Sequence, residues 1–271
     1  MNGESPRMLR RVEDGRLTYY LRSADAGYWE DHWRDVVSSE FYAGAARGEL
    51  GLFESLFPRY LPREGRILEA GCGLGQYVIA LRVRGYQAEG IDWAGETVAE
   101  ARARFPDLPV RRGDATAIDV PDGHYAGYIS LGVVEHRRAG PGPFLAEAAR
   151  VLRPGGIALT AVPQFHLLRR AKAALGAYRD DVGQASFYQY AFRWADLAAN
   201  CRGAGLEVIA HRGYDAYKGV KDEWRAFARL FARRVGGRDI GYLAQRVLQR
   251  LRPVENRLGH MVMLVCRRSP A

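Results

Sequence analysis

From residue 66 onward the chain keeps switching between two hydrophobic periods, and this switching restricts the fold more than any other feature. Short apolar runs of strand length are "RILEA", "YQAEGID", "LPVRRGD", "YAGYISLGVVEH" and "IALTAV". Between them lie segments with helical spacing, such as "GQYVIALRVRG", "AGETVAEARARF" and "GPFLAEAARVLRPGG". Gly85 and the Pro-Gly-Gly that ends the last of these are helix stops. Strands separated by helices of about ten residues build right-handed βαβ units on a parallel sheet. The ending follows another plan: a helix in "RWADLAANCRGAG", then two strand-like runs, "LEVIAHRGY" and "HMVMLVCRR", with basic helical segments between them.

Two stretches do not alternate. Residues 1–60 read as helical and aromatic (Tyr19, Tyr20, Tyr28, Trp29, Trp33, Phe41, Tyr42), and residues 163–192 follow the fifth strand. Ligands of open α/β sheets bind outside the carboxyl ends of the strands. An insertion after strand five therefore hangs over the ligand side.

The ligand is narrowed by "ILEAGCGLGQY", Ile67 to Tyr77. A dinucleotide turn requires G-x-G-x-x-G, and the third glycine would fall on Gln76. No Lys-Ser/Thr follows, so a phosphate-binding P-loop fails as well. The spacing is G-x-G-x-G with Glu69 two residues ahead, which suits close main-chain approach by a ligand with a cationic group.

On these residues the chain resembles the class I S-adenosylmethionine-dependent methyltransferases, in their type 11-like small-molecule branch. The resemblance runs through "ILEAGCGLGQY", "EGIDWAGETV", "RRGDATAI", "YISLGVVEH" and "RVLRPGG", roughly residues 61–165. It implies a Rossmann-like, doubly wound, mostly parallel α/β sheet of about seven strands with the last antiparallel. A helical N-terminal cap (1–60) would precede the cofactor domain (61–271), with helical insertions at 163–192 and 216–258 on the acceptor side. The resemblance also implies roles. Gly71, Gly73 and Gly75 would border the methionine part of S-adenosyl-L-methionine, and Glu69 would face its amino group. Asp92 would accept from the ribose hydroxyls and Trp93 would lie on the adenine. Asp114 and the Ala115 amide would meet the adenine edge, and Leu131 and Gly132 would approach the sulfonium. Without the resemblance, Glu69 and Asp92 read equally as capping carboxylates, Trp93 as core and Asp114 as a turn residue.

Methyl transfer needs alignment and exclusion of water, and a base only when the acceptor keeps its proton. The expected bases are His136, after strand four, and His166, just past strand five; surface or supporting histidines are the plainer readings. Tyr188, Tyr190, Trp29 and Trp33 are expected at the acceptor, with core packing as the alternative. No metal is expected. The predicted activity is methyl transfer to a small or lipid-linked acceptor, at oxygen, of natural-product, quinone or glycan type. The rivals are a non-catalytic S-adenosylmethionine-binding partner protein and a methylase of RNA or protein.

The net charge of +9 arises wholly in residues 201–271, which hold 15 basic and 6 acidic side chains. In "KDEWRAFARLFARRV" the apolar Trp224, Phe227, Phe231 and Val235 lie on one helical face and Arg225, Arg229 and Arg233 on another. Peripheral contact with an anionic membrane through 221–252 is therefore an expectation. The plain alternatives are a solvated face and a compositional preference for Arg, which outnumbers Lys 37 to 3. Nucleic acid is not expected as a partner, and a homodimer is allowed. Cys72, Cys201 and Cys266 match no zinc spacing. With no apolar leader or membrane-length run, a cytoplasmic location is expected, peripheral to the membrane if the basic segment binds it.

Overall fold

A computed structural model describes residues 8–21, 39–224, 226–227, 234–235 and 238–270. Its centre is a seven-stranded sheet in the order β5-β4-β3-β6-β7-β12-β9. The strands are β3 Arg66–Ala70, β4 Gln87–Asp92, β5 Val110–Arg112, β6 Tyr125–Leu131, β7 Leu152–Pro163, β9 Leu206–Tyr214 and β12 Met261–Arg268. The first five run parallel, and β12 is antiparallel to both β7 and β9. This is the doubly wound Rossmann-like sheet expected from the alternation, with the last strand reversed.

Successive strand residues serve opposite faces. Ile67, Leu159, Ala161, Met263 and Val265 pack with the helices Gln76–Val83 and Gly95–Arg104. Leu68, Ala158, Val162, Leu264 and Cys266 pack with the helices Gly142–Val151 and Trp194–Gly203. Both faces being covered explains why the strands read as nearly continuous apolar runs. All three cysteines are buried free thiols.

Among the described residues of the N-terminal cap, α-helices span Ser39–Ala46 and Phe57–Tyr60. Its first described residues form a hairpin instead, β1 Leu9–Glu13 and β2 Arg16–Leu21. Asp14 (φ 49°) and Gly15 (φ 73°) make the two-residue turn, whose positive φ angles match the twist of the strands. The insertion at 163–192 holds one helix, Leu167–Ala174, and then a strand, β8 Ser186–Ala191, that pairs antiparallel with β2. The helical reading of both segments is corrected to this extent. The aromatic and β-branched residues of "RLTYYL" and "SFYQYA" favour strand, and the first of the two is buried almost throughout. Leu17, Tyr19, Phe165, Tyr178 and Ala191 form the core of this small sheet.

Residues 216–258 supply the helices Ala216–Lys221, Ile240–Leu248 and Arg252–Leu258, with a two-residue ladder of β10 Arg234–Val235 and β11 Arg238–Asp239. Tyr28, Trp29 and Trp33 lie outside the described residues, as do Arg225, Arg229, Phe231 and Arg233. Among the described residues no helix is long and apolar enough to cross a membrane.

Candidate functional site

The carboxyl ends of β3, β4, β5 and β6 converge. After Ala70 the chain turns through Gly71, Gly73 and Gly75, with φ of 80°, 50° and 75°. Gly71 needs its missing side chain twice, since the left-handed φ disfavours a Cβ and a Cβ there would run into Val133. That contact packs the glycine turn against the segment that follows β6. The Gly71 and Cys72 amides both donate to the Ile91 carbonyl, at 2.8 and 3.0 Å, which ties the turn to the end of β4.

Asp92 closes β4. Its carboxylate accepts from Gly73 N at 2.8 Å and Ala94 N at 2.9 Å, so the side chain spans the two turns and is fixed by both. Each oxygen keeps a lone pair for a further donor. Glu69 is only 4% exposed, and its Oε2 has no hydrogen-bond partner. Burial first, and then the nearby Asp92 charge, hold the Glu69 carboxyl well above the ordinary carboxylate range. A buried carboxyl with one unpaired oxygen beside a left-handed glycine turn matches a ligand that brings a cation and needs close main-chain approach.

The other expected positions border the same edge. Trp93 is 60% exposed, which leaves its ring accessible to a ligand. Gly113 N donates to Asp92 O at 2.9 Å and so places Asp114 beside β4. The Asp114 carboxylate is occupied locally by Thr116 N at 2.7 Å and Thr116 Oγ1 at 2.8 Å, the turn arrangement weighed as its plainer role. Ala115 is buried next to it. At the end of β6, Gly132 (φ 71°) donates to Ala161 O at 2.9 Å.

The two histidines part company. His136 stays at the end of β6, its Nδ1 2.9 Å from the Tyr188 carbonyl oxygen and its ring against the Tyr188 ring at 4.9 Å. An Nδ1–H donor leaves Nε2 as the acceptor. His166 is 1% exposed and caps the helix Leu167–Ala174, its Nδ1 accepting from Arg169 N at 3.4 Å. Burial lowers both rings, His136 to about 4 and His166, with Arg169 adding to the effect, to about 3. Tyr190 donates its hydroxyl to Arg138 O at 2.9 Å, so it and Tyr188 fasten β8 over the segment after β6.

Glu135, beside His136, escaped the sequence reading. It is 1% exposed, and its Oε2 has no partner. The available signal was an acid inside an otherwise apolar stretch, "SLGVVEH". Among the described residues no His, Cys, Asp and Glu cluster could hold a metal ion.

A family model described as a methyltransferase domain matches residues 68–160. A probable S-adenosylmethionine-dependent methyltransferase of Mycolicibacterium smegmatis is 35% identical over 97 residues, 36% of this chain and 37% of that protein. A demethylmenaquinone methyltransferase of Beutenbergia cavernae is 37% identical over 92 residues, 34% of this chain and 38% of that protein. The chain thus spans well under half the length of these curated relatives. Among solved structures, the [4+2]-cyclase SpnF superposes with a TM-score of 0.53 at 22% identity, over 82% of this chain and 81% of that one. That likeness concerns the fold alone. The matched segment coincides with the sheet edge that carries Glu69, the glycine turn, Asp92 and Gly132. Over that segment the chain is similar to a methyltransferase domain and to S-adenosylmethionine-dependent methyltransferases.

Proposed function

We propose that the protein is a methyltransferase that uses S-adenosyl-L-methionine to methylate a small or lipid-linked acceptor at oxygen. The observation that carries this reading is Glu69, a buried carboxyl with an unpartnered Oε2 directly ahead of the left-handed glycine turn. Its natural partner is an ammonium group, and the turn would let the rest of an amino-acid moiety lie against the main chain. Asp92, held by two amides, has lone pairs left for ribose hydroxyls. Trp93, Asp114 and Ala115 would meet the adenine, and Leu131 and Gly132 would border the methyl-transfer end. When bound, the sulfonium supplies an already activated methyl carbon. The protein's part is to orient the acceptor, keep water out and take up a proton.

The acceptor side would be formed by 1–60, 163–192 and 216–258, with Tyr188, Tyr190, Trp29 and Trp33 as the aromatic candidates. A lipid-linked acceptor, and contact with an anionic membrane through 221–252, are supported by the exposed Tyr242, Leu243, Val247 and Leu251 near Arg246 and Arg250. The name of the Beutenbergia relative supports a small organic acceptor.

Calorimetric titration with S-adenosylmethionine and S-adenosylhomocysteine, followed by transfer of a labelled methyl group to an acceptor panel, tests the proposal. Saturable binding of both with label transfer is expected. Absence of binding, or tight binding of NADH instead, sinks it. The second reading is a non-catalytic S-adenosylmethionine-binding partner protein, since one fold can carry different functions. Binding without transfer would move the balance toward it.

A further inference from the structure

Glu135 is a buried, chemistry-bearing group that the roles above leave unused. The short turn Val134–His136 directly follows β6 and carries it inward. Its Oε1 lies 3.9 Å from His136 Nε2, and a Cβ on Gly132 would stand 3.6 Å from the same oxygen. The carboxyl therefore lies over the main chain at the methyl-transfer end of the sheet. Burial lifts it to about 8.

The titratable groups facing it come from several elements. His136 is its neighbour. Tyr214, at the end of β9, feels the charges of Tyr77, Glu135 and Asp215, and Tyr77 feels that of Glu69. Among the described residues no Lys or Arg pairs with Glu135, and His136 is held neutral at neutral pH. The ring of Phe53 stands 5.4 Å from both Tyr77 and Tyr214, and Phe57 stands 5.6 Å from Tyr77, so an aromatic wall backs these tyrosines. Native interiors hold few buried carboxyl oxygens without a partner, and the few that exist call for a reason. Among the described residues two other glutamates keep such an oxygen: Glu69, for which a ligand is proposed above, and Glu255, whose second oxygen accepts from Ala216 N.

We propose that Glu135 is the proton acceptor for a phenolic or enolic hydroxyl on the acceptor molecule, which sits between the end of β6 and the Tyr77–Tyr214 wall. This rests on the methyltransferase reading. The acceptor O–H bond breaks and its proton moves to Glu135 Oε2. The new O–C bond forms as the C–S bond breaks, its electron pair staying on sulfur. The products are a methyl ether, a neutral thioether and a protonated Glu135 that returns its proton to water. His136 near 4 is a far weaker base than Glu135 near 8. A base near 8 lies within about two units of a phenol at ~10, and is mismatched to an aliphatic alcohol.

The test compares wild type with Glu135→Gln and Glu135→Asp, using catechol, 1-naphthol and phenylpyruvate as acceptor probes. Glu135→Gln should keep S-adenosylhomocysteine binding within about threefold and lose turnover by ~10²–10⁴-fold. It should also lose the rise in kcat/KM that wild type shows toward pH 8. The pH-dependent loss of turnover is the readout of the catalytic role, and the melting temperature reads the burial separately. Because the folded value lies above the unfolded one, the stability Glu135 gives at low pH is lost as pH rises from about 4.5 to about 8. Glu135→Gln should therefore melt about 5 °C or more above wild type at pH 8. Glu135→Asp should recover part of the turnover without that gain.

Full turnover with an unchanged pH profile in Glu135→Gln overturns the proposal. So does a wild type that binds S-adenosylhomocysteine yet methylates none of the three probes. A wild type that binds no S-adenosyl compound instead overturns the methyltransferase reading itself, before any acceptor is added.

Discussion

Two regions bury glutamates and treat them in opposite ways. At the sheet edge, Glu69 and Glu135 are closed off from water with one oxygen each left unpaired. Beside the small sheet, Glu223 is just as buried, yet it receives Arg10 Nη1 at 2.8 Å, Arg169 Nε at 3.0 Å, Lys172 Nζ at 2.7 Å and the Tyr178 hydroxyl at 2.6 Å. Burial alone would push Glu223 up, but Lys172, Tyr178, Arg10 and Arg169 outweigh it and hold it near 2. Glu69, lacking a cation, is pushed up instead. The lesson is that burial does not say what a carboxylate is for; its partners do. A saturated carboxylate fastens elements together, here β1, the helix Leu167–Ala174 and the segment after Lys221. An unsaturated one is open to a partner from outside the chain, the role proposed above for Glu69 and Glu135.

The largest effect that could break this comparison is Glu223→Gln. It leaves Arg10, Arg169 and Lys172 without their shared counter-charge, and should destabilise the protein by about 3–5 kcal/mol in urea denaturation. A loss below 1 kcal/mol would show that the cluster is not a fastening. Next comes acid. The folded value of Glu223, near 2, lies below the ordinary 4.5, so its stabilisation is full above about pH 5 and fades as pH falls through 2. A difference of that size corresponds to about 3 kcal/mol, read from denaturation midpoints between pH 6 and pH 2 in wild type against Glu223→Gln.

Glu69→Gln sharpens the other half. Loss of one charge-assisted contact should weaken S-adenosylhomocysteine binding about 10–100-fold by calorimetry, while stability at pH 8 rises, since a raised carboxyl costs stability once it must ionise. A variant that binds as well as wild type would remove Glu69 from the ligand site. The smallest effect belongs to Tyr190→Phe, which deletes the hydrogen bond to Arg138 O. About 1 kcal/mol should be lost in thermal melts, with cofactor binding unchanged.

Much of this was legible before any coordinates. The alternation of periods specified a parallel sheet, because side chains of strands buried on both faces must be apolar almost without a break. The spacing of Gly71, Gly73 and Gly75 excluded a dinucleotide turn, and the ordered motifs placed Glu69, Asp92, Asp114 and Gly132 on one edge of the sheet. Each of these signals is short-range. A signal for the hairpin was present in Asp14-Gly15, yet the surrounding aromatics read more readily as one face of a helix.

What the tertiary structure alone decided lies in long-range pairing. β2 pairs with β8 across more than 160 residues, and Arg10 meets Glu223 across 213. Neither contact leaves a local pattern, because chain closure over such distances depends on the whole core and not on neighbouring residues. The same holds for the glutamates. In sequence, Glu69, Glu135 and Glu223 are alike. Folding buried all three and gave cations to only one, and that difference in surroundings separates a structural clasp from the carboxyls proposed to meet a ligand.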